Sequence, residues 1–149
     1  MDHVLEARKL FLEGYNCSQA VLGAFSDVTG IDFETSMKLA SSFGGGMGRM
    51  REVCGSVSAM FMIAGFVCGY TDPEDDKIKA KHYALIQKLA EKFKSQYGTI
   101  VCRELLVNIK HDTSNVPTKR DDEFYKKRPC LRFVETAAEI IDEFLKENE

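Results

Sequence analysis

The sequence predicts an all-α fold: a single helical domain spanning residues 1–149, built as a bundle around a central apolar helix. Three observations predict it. Proline is scarce, at three residues, and the long alternating runs that mark strands are absent. Apolar residues instead recur at spacings of three and four, which places them on one face of a helix. One stretch, Val53 to Thr71, carries no charge at all. The amphipathic segments around it need such a partner to bury their apolar faces. The length of 149 residues is enough to enclose one core without covalent staples.

The elements follow in order. Val4, Leu5, Ala7, Leu10, Phe11 and Leu12 form a helical stripe that Gly14 ends. Asn16 then caps a second helix, with Gln19 three residues on as in a capping box. Gly30 closes that helix, and Asp32 caps a third through Met37, Leu39, Ala40 and Phe43. Gly44, Gly45, Gly46, Met47, Gly48 and Arg49 cannot form a comfortable helix interior, so they read as a loop. The uncharged stretch is long enough to span a bilayer. Its glycines, serines and alanines dilute the hydrophobicity, however, and suit close packing inside a bundle. Asp72, Pro73 and Glu74 read as a helix start, with a proline at the first helical position. The stripe Ile78, His82, Ile86, Leu89, Phe93 and Tyr97 continues that helix to Gly98. Thr99 caps a short helix through Cys102, Leu105 and Leu106. Residues 108–128 are polar and aperiodic, with one helical turn expected over 121–126. Pro129 and Cys130 open the last helix, whose inward residues are Phe133, Val134, Ala137, Ile140, Ile141 and Phe144.

Composition excludes several function classes. The net charge is -3, and the basic residues are interleaved with acids. A nucleic-acid binder draws most of its affinity from a basic excess, which is missing here. The first residues lack the charged start and apolar run of a secretory signal, so a cytoplasmic location is expected. His3 and His111 read as exposed and His82 as a satisfied, partly buried residue, so none suggests a zinc hydrolase.

Five cysteines in a reducing compartment need a reason. No C-x-x-C pair is present, which leaves thioredoxin-like motifs and zinc fingers unsupported. Position is more informative. Cys17, Cys54, Cys102 and Cys130 each fall in the first turn of an expected helix. Unpaired N–H groups and the positive end of the helix dipole lie there, and both favour thiolate over thiol. Cys68 lies at the far end of the uncharged helix, about 21 Å from Cys54, and reads as a core residue. The glycine loop before Cys54 admits three readings. It is an anion or cofactor cradle made by Gly45, Gly46, Gly48 and Arg49 with help from Arg51, a tight connection, or a backbone that passes close to the Cys54 sulfur.

Four blocks of residues carry a resemblance: Gly14 to Val21, Phe43 to Arg49, Glu52 to Ala59, and Cys102 to Leu105 followed by Cys130. In this order they resemble the C_GCAxxG_C_C family of redox-active proteins, named for four recurring cysteines. The resemblance covers nearly the whole chain. It implicates Cys17, Cys54, Cys102 and Cys130 and leaves out Cys68. The family's central Cys-Gly-Ala-x-x-Gly reads here with Ser56 for the alanine and Ala59 for the second glycine.

The resulting expectation is a thiol–disulfide oxidoreductase-like protein that needs no cofactor. Cys54 attacks an oxidant or disulfide, and a second cysteine resolves the intermediate. The polar loop would carry Cys130 in and out of reach. The alternative is a binding module in which the same four thiolates ligate zinc or an iron–sulfur cluster. A homodimer is compatible with a glycine-rich surface, and the redox partner is not legible.

Overall fold

A computed structural model describes residues 2–107, 109 and 112–148. Among them lie nine helices and no strand. The first, α1 (His3–Leu12), is capped by the Asp2 side chain, which accepts from the Leu5 N–H at 3.0 Å. The expected capping box opens α2 (Cys17–Ala24): Asn16 Oδ1 accepts from Gln19 N at 2.9 Å, and Gln19 Oε1 accepts from Asn16 N at 3.1 Å. A single turn, α3 (Ser26–Thr29), ends at Gly30, whose φ of 69° reverses the chain into α4 (Phe33–Ser41). Asp32 caps α4 as expected.

The remaining helices are α5 (Gly55–Cys68), α6 (Asp76–Tyr97), α7 (Cys102–Leu105), α8 (Asp122–Lys127) and α9 (Cys130–Glu147). Helix α2 lies against α1, α4, α5 and α9, and α9 closes over α1, α2, α5 and α6. Phe11, Phe25, Met60, Ile63, Phe93 and Ile141 fill the space between them. All six inward residues expected of α9 are buried.

The uncharged helix is only partly enclosed. Gly55 through Met60, Ile63 and Ala64 are buried, whereas Phe66 and Val67 are exposed. Helices α2, α6 and α9 pack against α5 and leave its final turn uncovered. Cys68 sits on that turn. It is exposed, contrary to its expected place in the core, and its thiol donates to the Ala64 carbonyl at 3.3 Å. Among the described residues no helix is long and apolar enough to cross a membrane.

Three further expectations change. Asp72 and Pro73 do not open α6. The Asp72 carboxylate accepts from Glu74 N and makes a turn, and Asp75 caps the helix instead through Ile78 N. A side chain that bonds two residues ahead competes with a helix start. His3 is not exposed: it stacks on Phe25 at 4.1 Å and bridges Asp142 (2.6 Å) and Asp27 (2.9 Å), which joins α1 to α9 and α3. Nδ1 of His82 is buried without a hydrogen-bond partner among the described residues, so His82 is not the satisfied residue expected. His111 lies outside the described residues.

Two hydroxyls, Ser18 Oγ and Ser56 Oγ, are also buried with no partner among the described residues. Desolvating a hydroxyl without a hydrogen bond is costly. Ser56→Ala is therefore expected to leave stability unchanged or raise it by about 1 kcal/mol in urea unfolding. A loss larger than that would show that the hydroxyl is satisfied in solution.

Candidate functional site

All four expected cysteines stand at helix starts. Cys17, Cys102 and Cys130 are the first residues of α2, α7 and α9, and Cys54 is the N-cap of α5. A short backbone pairing brings two of these starts together. Val53 and Val101 form an isolated antiparallel bridge. Around it Cys54 N donates to Ile100 O (2.8 Å), Cys102 N to Glu52 O (2.6 Å) and Arg103 N to Arg51 O (3.1 Å). Thr99 supports the turn before α7 through Val101 N and the Glu104 carboxyl group. The four cysteines all line one cavity of about 600 Å³.

The glycine loop forms one wall of this cavity. Gly45, Gly46, Met47, Gly48 and Arg49 all have positive φ, between 57° and 70°, and Arg51 follows at 62°. Most of its amides are satisfied internally: Met47, Gly48, Arg49, Arg51 and Glu52 donate to carbonyls of residues 42–46. The loop thus spends most of its amides on itself, while the Gly45 N–H reaches the Cys17 sulfur. Its glycines permit close approach. A Cβ on Gly46 would lie 2.6 Å from Cys102 Cβ and 2.8 Å from Arg51 Cα, and one on Gly44 would strike Asn16. Gly55, which follows Cys54, is equally confined: its Cβ would meet the Cys17 sulfur at 2.6 Å. The close passage expected beside Cys54 thus occurs beside Cys102 and Cys17.

The sulfurs differ in charge preference. The Cys54 thiol donates a hydrogen bond to Cys17, and the backbone N–H groups of Gly45, Ser18 and Gly55 donate to the same sulfur. Together they outweigh burial and lower the Cys17 thiol to about 6. Cys54 moves well above the ordinary thiol range. Its proton is held by the bond to Cys17, and burial and the neighbouring negative charge add to the effect. Burial raises Cys102, partly opposed by Arg51, whose Nη1 lies 3.9 Å from the Cys102 sulfur. Burial together with the Cys17 and Cys102 charges pushes Cys130 up to about 12. Cys17, whose thiol is lowered, is half-buried at the cavity, and Cys54, whose thiol is raised, is 5 % exposed.

Sequence reasoning missed half of the cavity's charge. Arg120 and Arg128 line it beside Arg49 and Arg51. Arg49 donates to Ser114 O (2.9 Å) and Thr118 Oγ1 (2.8 Å) and pairs with Asp112 at 3.5 Å. Arg51 donates to Asp112 O through Nε and Nη2. Arg120 stacks on Phe11 at 4.3 Å and donates to Phe11 O and Tyr15 O. These bonds strap residues 112–120 over the cavity, where Asn115, Pro117 and Thr118 line it. The polar segment expected to carry Cys130 is therefore tied at several points. Its arginines were dispersed in a mixed-charge stretch, with no periodicity to mark them.

The fit of zinc or an iron–sulfur cluster can be tested on the donors. Among the described residues no three His, Cys, Asp or Glu side chains are grouped so as to hold a metal ion. The four cysteines line one cavity without forming a ligand set.

A family model described as "Putative redox-active protein (C_GCAxxG_C_C)" matches residues 15–144. The chain belongs to this family. No curated protein and no solved structure matches it. The matched stretch takes in Cys17, Cys54, Cys102 and Cys130. Ser56 and Ala59 are both buried where α5 meets its neighbours.

Two outcomes follow. Gly46→Ala should cost at least about 2 kcal/mol in chemical denaturation, since it adds a clash to a left-handed position. A cost below about 0.5 kcal/mol would mean that the loop yields easily. The rate of Cys17 alkylation by iodoacetamide, followed by peptide mass spectrometry, should rise with a midpoint near pH 6. A group whose folded pKa is depressed is ionised above that value, so the rate levels off well below the ordinary thiol range around 9. Cys54→Ala removes the donor and should move the midpoint upward. A wild-type midpoint near 9 would refute the assignment.

Proposed function

We propose that this protein is a dithiol–disulfide exchange protein in which Cys17 is the nucleophile and Cys54 the resolving thiol. What carries this reading is the close seating of the start of α5 on Cys17, where a Cβ on Gly55 would meet the sulfur at 2.6 Å, together with a lowered Cys17 thiol beside a raised Cys54 thiol. The exchange runs in two steps. The Cys17 thiolate attacks one sulfur of a disulfide R–S–S–R′. A Cys17–S–R bond forms, the S–S bond breaks, and R′–S⁻ leaves with the electron pair and takes a proton. Once Cys17 is neutral, the charge that held the Cys54 proton is gone. Cys54 then loses that proton and attacks the Cys17 sulfur, which closes a Cys17–Cys54 disulfide and expels R–S⁻. From its thiolate–thiol form the protein gives up one proton, that of Cys54, and two electrons, and the substrate's two sulfurs take up the electrons.

Cys102 and Cys130 stay protonated in this scheme because burial raises both. The raised pKa of each keeps it from competing for the first attack. The dithiol form requires a reducing compartment, which the cytoplasm supplies. Zinc or cluster binding is a poorer reading, because the donors form no ligand set among the described residues.

The test uses a Cys68→Ser background, which removes the exposed thiol. Treated with a small disulfide, this protein should lose ~2 Da as the internal disulfide closes. Adding Cys54→Ser should trap a stable adduct on Cys17 with the mass of half the disulfide. Adding Cys17→Ser should abolish both. Adducts that form on Cys102 or Cys130 while Cys17 stays free would overturn the assignment.

A further inference from the structure

The cavity has a charge that the exchange reaction does not account for. The chain as a whole is acidic, at -3. Four arginines nevertheless line the cavity, with no Asp or Glu among the lining residues. Arg49 has Asp112 for an ion pair. The other three have no carboxylate partner among the described residues. Arg120 is satisfied by two carbonyls and by aromatic faces.

Arg51 is the most telling. It is only 3 % exposed, and among the described residues its guanidinium hydrogen-bonds only to the Asp112 carbonyl and the Cys102 sulfur. A buried cation without an anion is costly, and here it sits on a backbone held at φ 62°. The Arg128 guanidinium lies over the Phe124 ring at 5.0 Å, with no hydrogen bond or ion pair of its own among the described residues. Burial and the charges of Arg51 and Arg49 lower its pKa, so these guanidinium groups repel one another. One thiolate at Cys17 does not balance them.

We infer that the cavity is built for an anionic small molecule: the disulfide or thiol exchanged at Cys17 carries carboxylate or phosphate groups that Arg51 and Arg128 receive. This rests on the exchange reading and names the class of its substrate. The guanidinium fork matches the geometry of either oxyanion. A cavity of about 600 Å³ lies within the range of small-molecule sites. Phe124 and Phe133 add an apolar wall for the body of the ligand.

Two measurements separate this inference from the exchange reading. The first is the rate at which Cys17 reacts with the dianionic aromatic disulfide 5,5′-dithiobis(2-nitrobenzoate) and with the dicationic disulfide cystamine. Each rate is divided by that of a free model thiol at the same pH. The normalised preference for the anionic reagent should be about tenfold or more at low salt. It should fall as salt rises, drop to about threefold or less in Arg128→Gln, and return in part with Arg128→Lys. The ratio cancels any change in the thiolate fraction.

The second measurement needs no exchange. Isophthalate and phenyl phosphate carry the ring and the charges but no sulfur, and isophthalamide is the neutral control. At least one of the anions should raise the melting temperature and slow iodoacetamide alkylation of Cys17. Isophthalamide should do neither. If an anion protects Cys17 but no disulfide reacts, the exchange reading fails and the anionic site stands. If both disulfides react with no preference and neither anion protects, exchange stands and this inference is overturned.

Discussion

The site depends on two places where the backbone has no room for a side chain: Gly55 against the Cys17 sulfur and Gly46 against Cys102. Closeness there does chemical work. Only a bare backbone lets α5 start so near α2 that the Gly55 amide and the Cys54 thiol both reach Cys17. Only a bare backbone lets the left-handed loop lie on Cys102 while its own amides bond back to residues 42–46. The antiparallel contact between Val53 and Val101 ties the two regions into one wall. Helix packing supplies the frame, but these contacts set the positions of the sulfurs.

The same wall concentrates charge against the trend of the molecule. Met47, Arg49 and Arg51 occupy positive φ without the freedom of glycine, at a cost of about 1–2 kcal/mol each. That cost turns Arg49 and Arg51 towards residues 112–118 and the cavity instead of towards solvent. Left-handed backbone at non-glycine residues persists only where surrounding structure enforces it. Here the enforcement comes from the loop's internal hydrogen bonds and from Arg51 N to Gly45 O at 3.2 Å. Strain, burial and unbalanced cations coincide at the end of the bundle where the cysteines meet.

Much of this was legible in the chain. The capping box at Asn16, the cap at Asp32 and the stripe of α9 follow local rules that tertiary structure left intact. The placement of four cysteines at helix starts also followed, because caps and glycines mark those starts. What stayed hidden was non-local. Nothing near Cys68 says that the last turn of its helix is left uncovered. Nothing local says that the Cys17 thiol is lowered and the Cys54 thiol raised, since that depends on which sulfur lies beside the amides. Arg120 and Arg128 belong to a polar stretch, and their meeting with Arg51 is created by the fold alone. Asp72 misled because a turn and a helix cap use the same side-chain chemistry.

The exposed thiol at the end of α5 imposes an arithmetic of parity. The chain has five cysteines, and disulfides consume them in twos. However the four cavity sulfurs pair, an odd sulfur remains, and it is the one on the surface at Cys68. Exhaustive oxidation therefore cannot be completed within one molecule. The final bond must join Cys68 to another thiol, and at high protein concentration the nearest supply is a second copy of the chain. A covalent dimer in aged or oxidised preparations would then record the geometry of α5, and not a native interface.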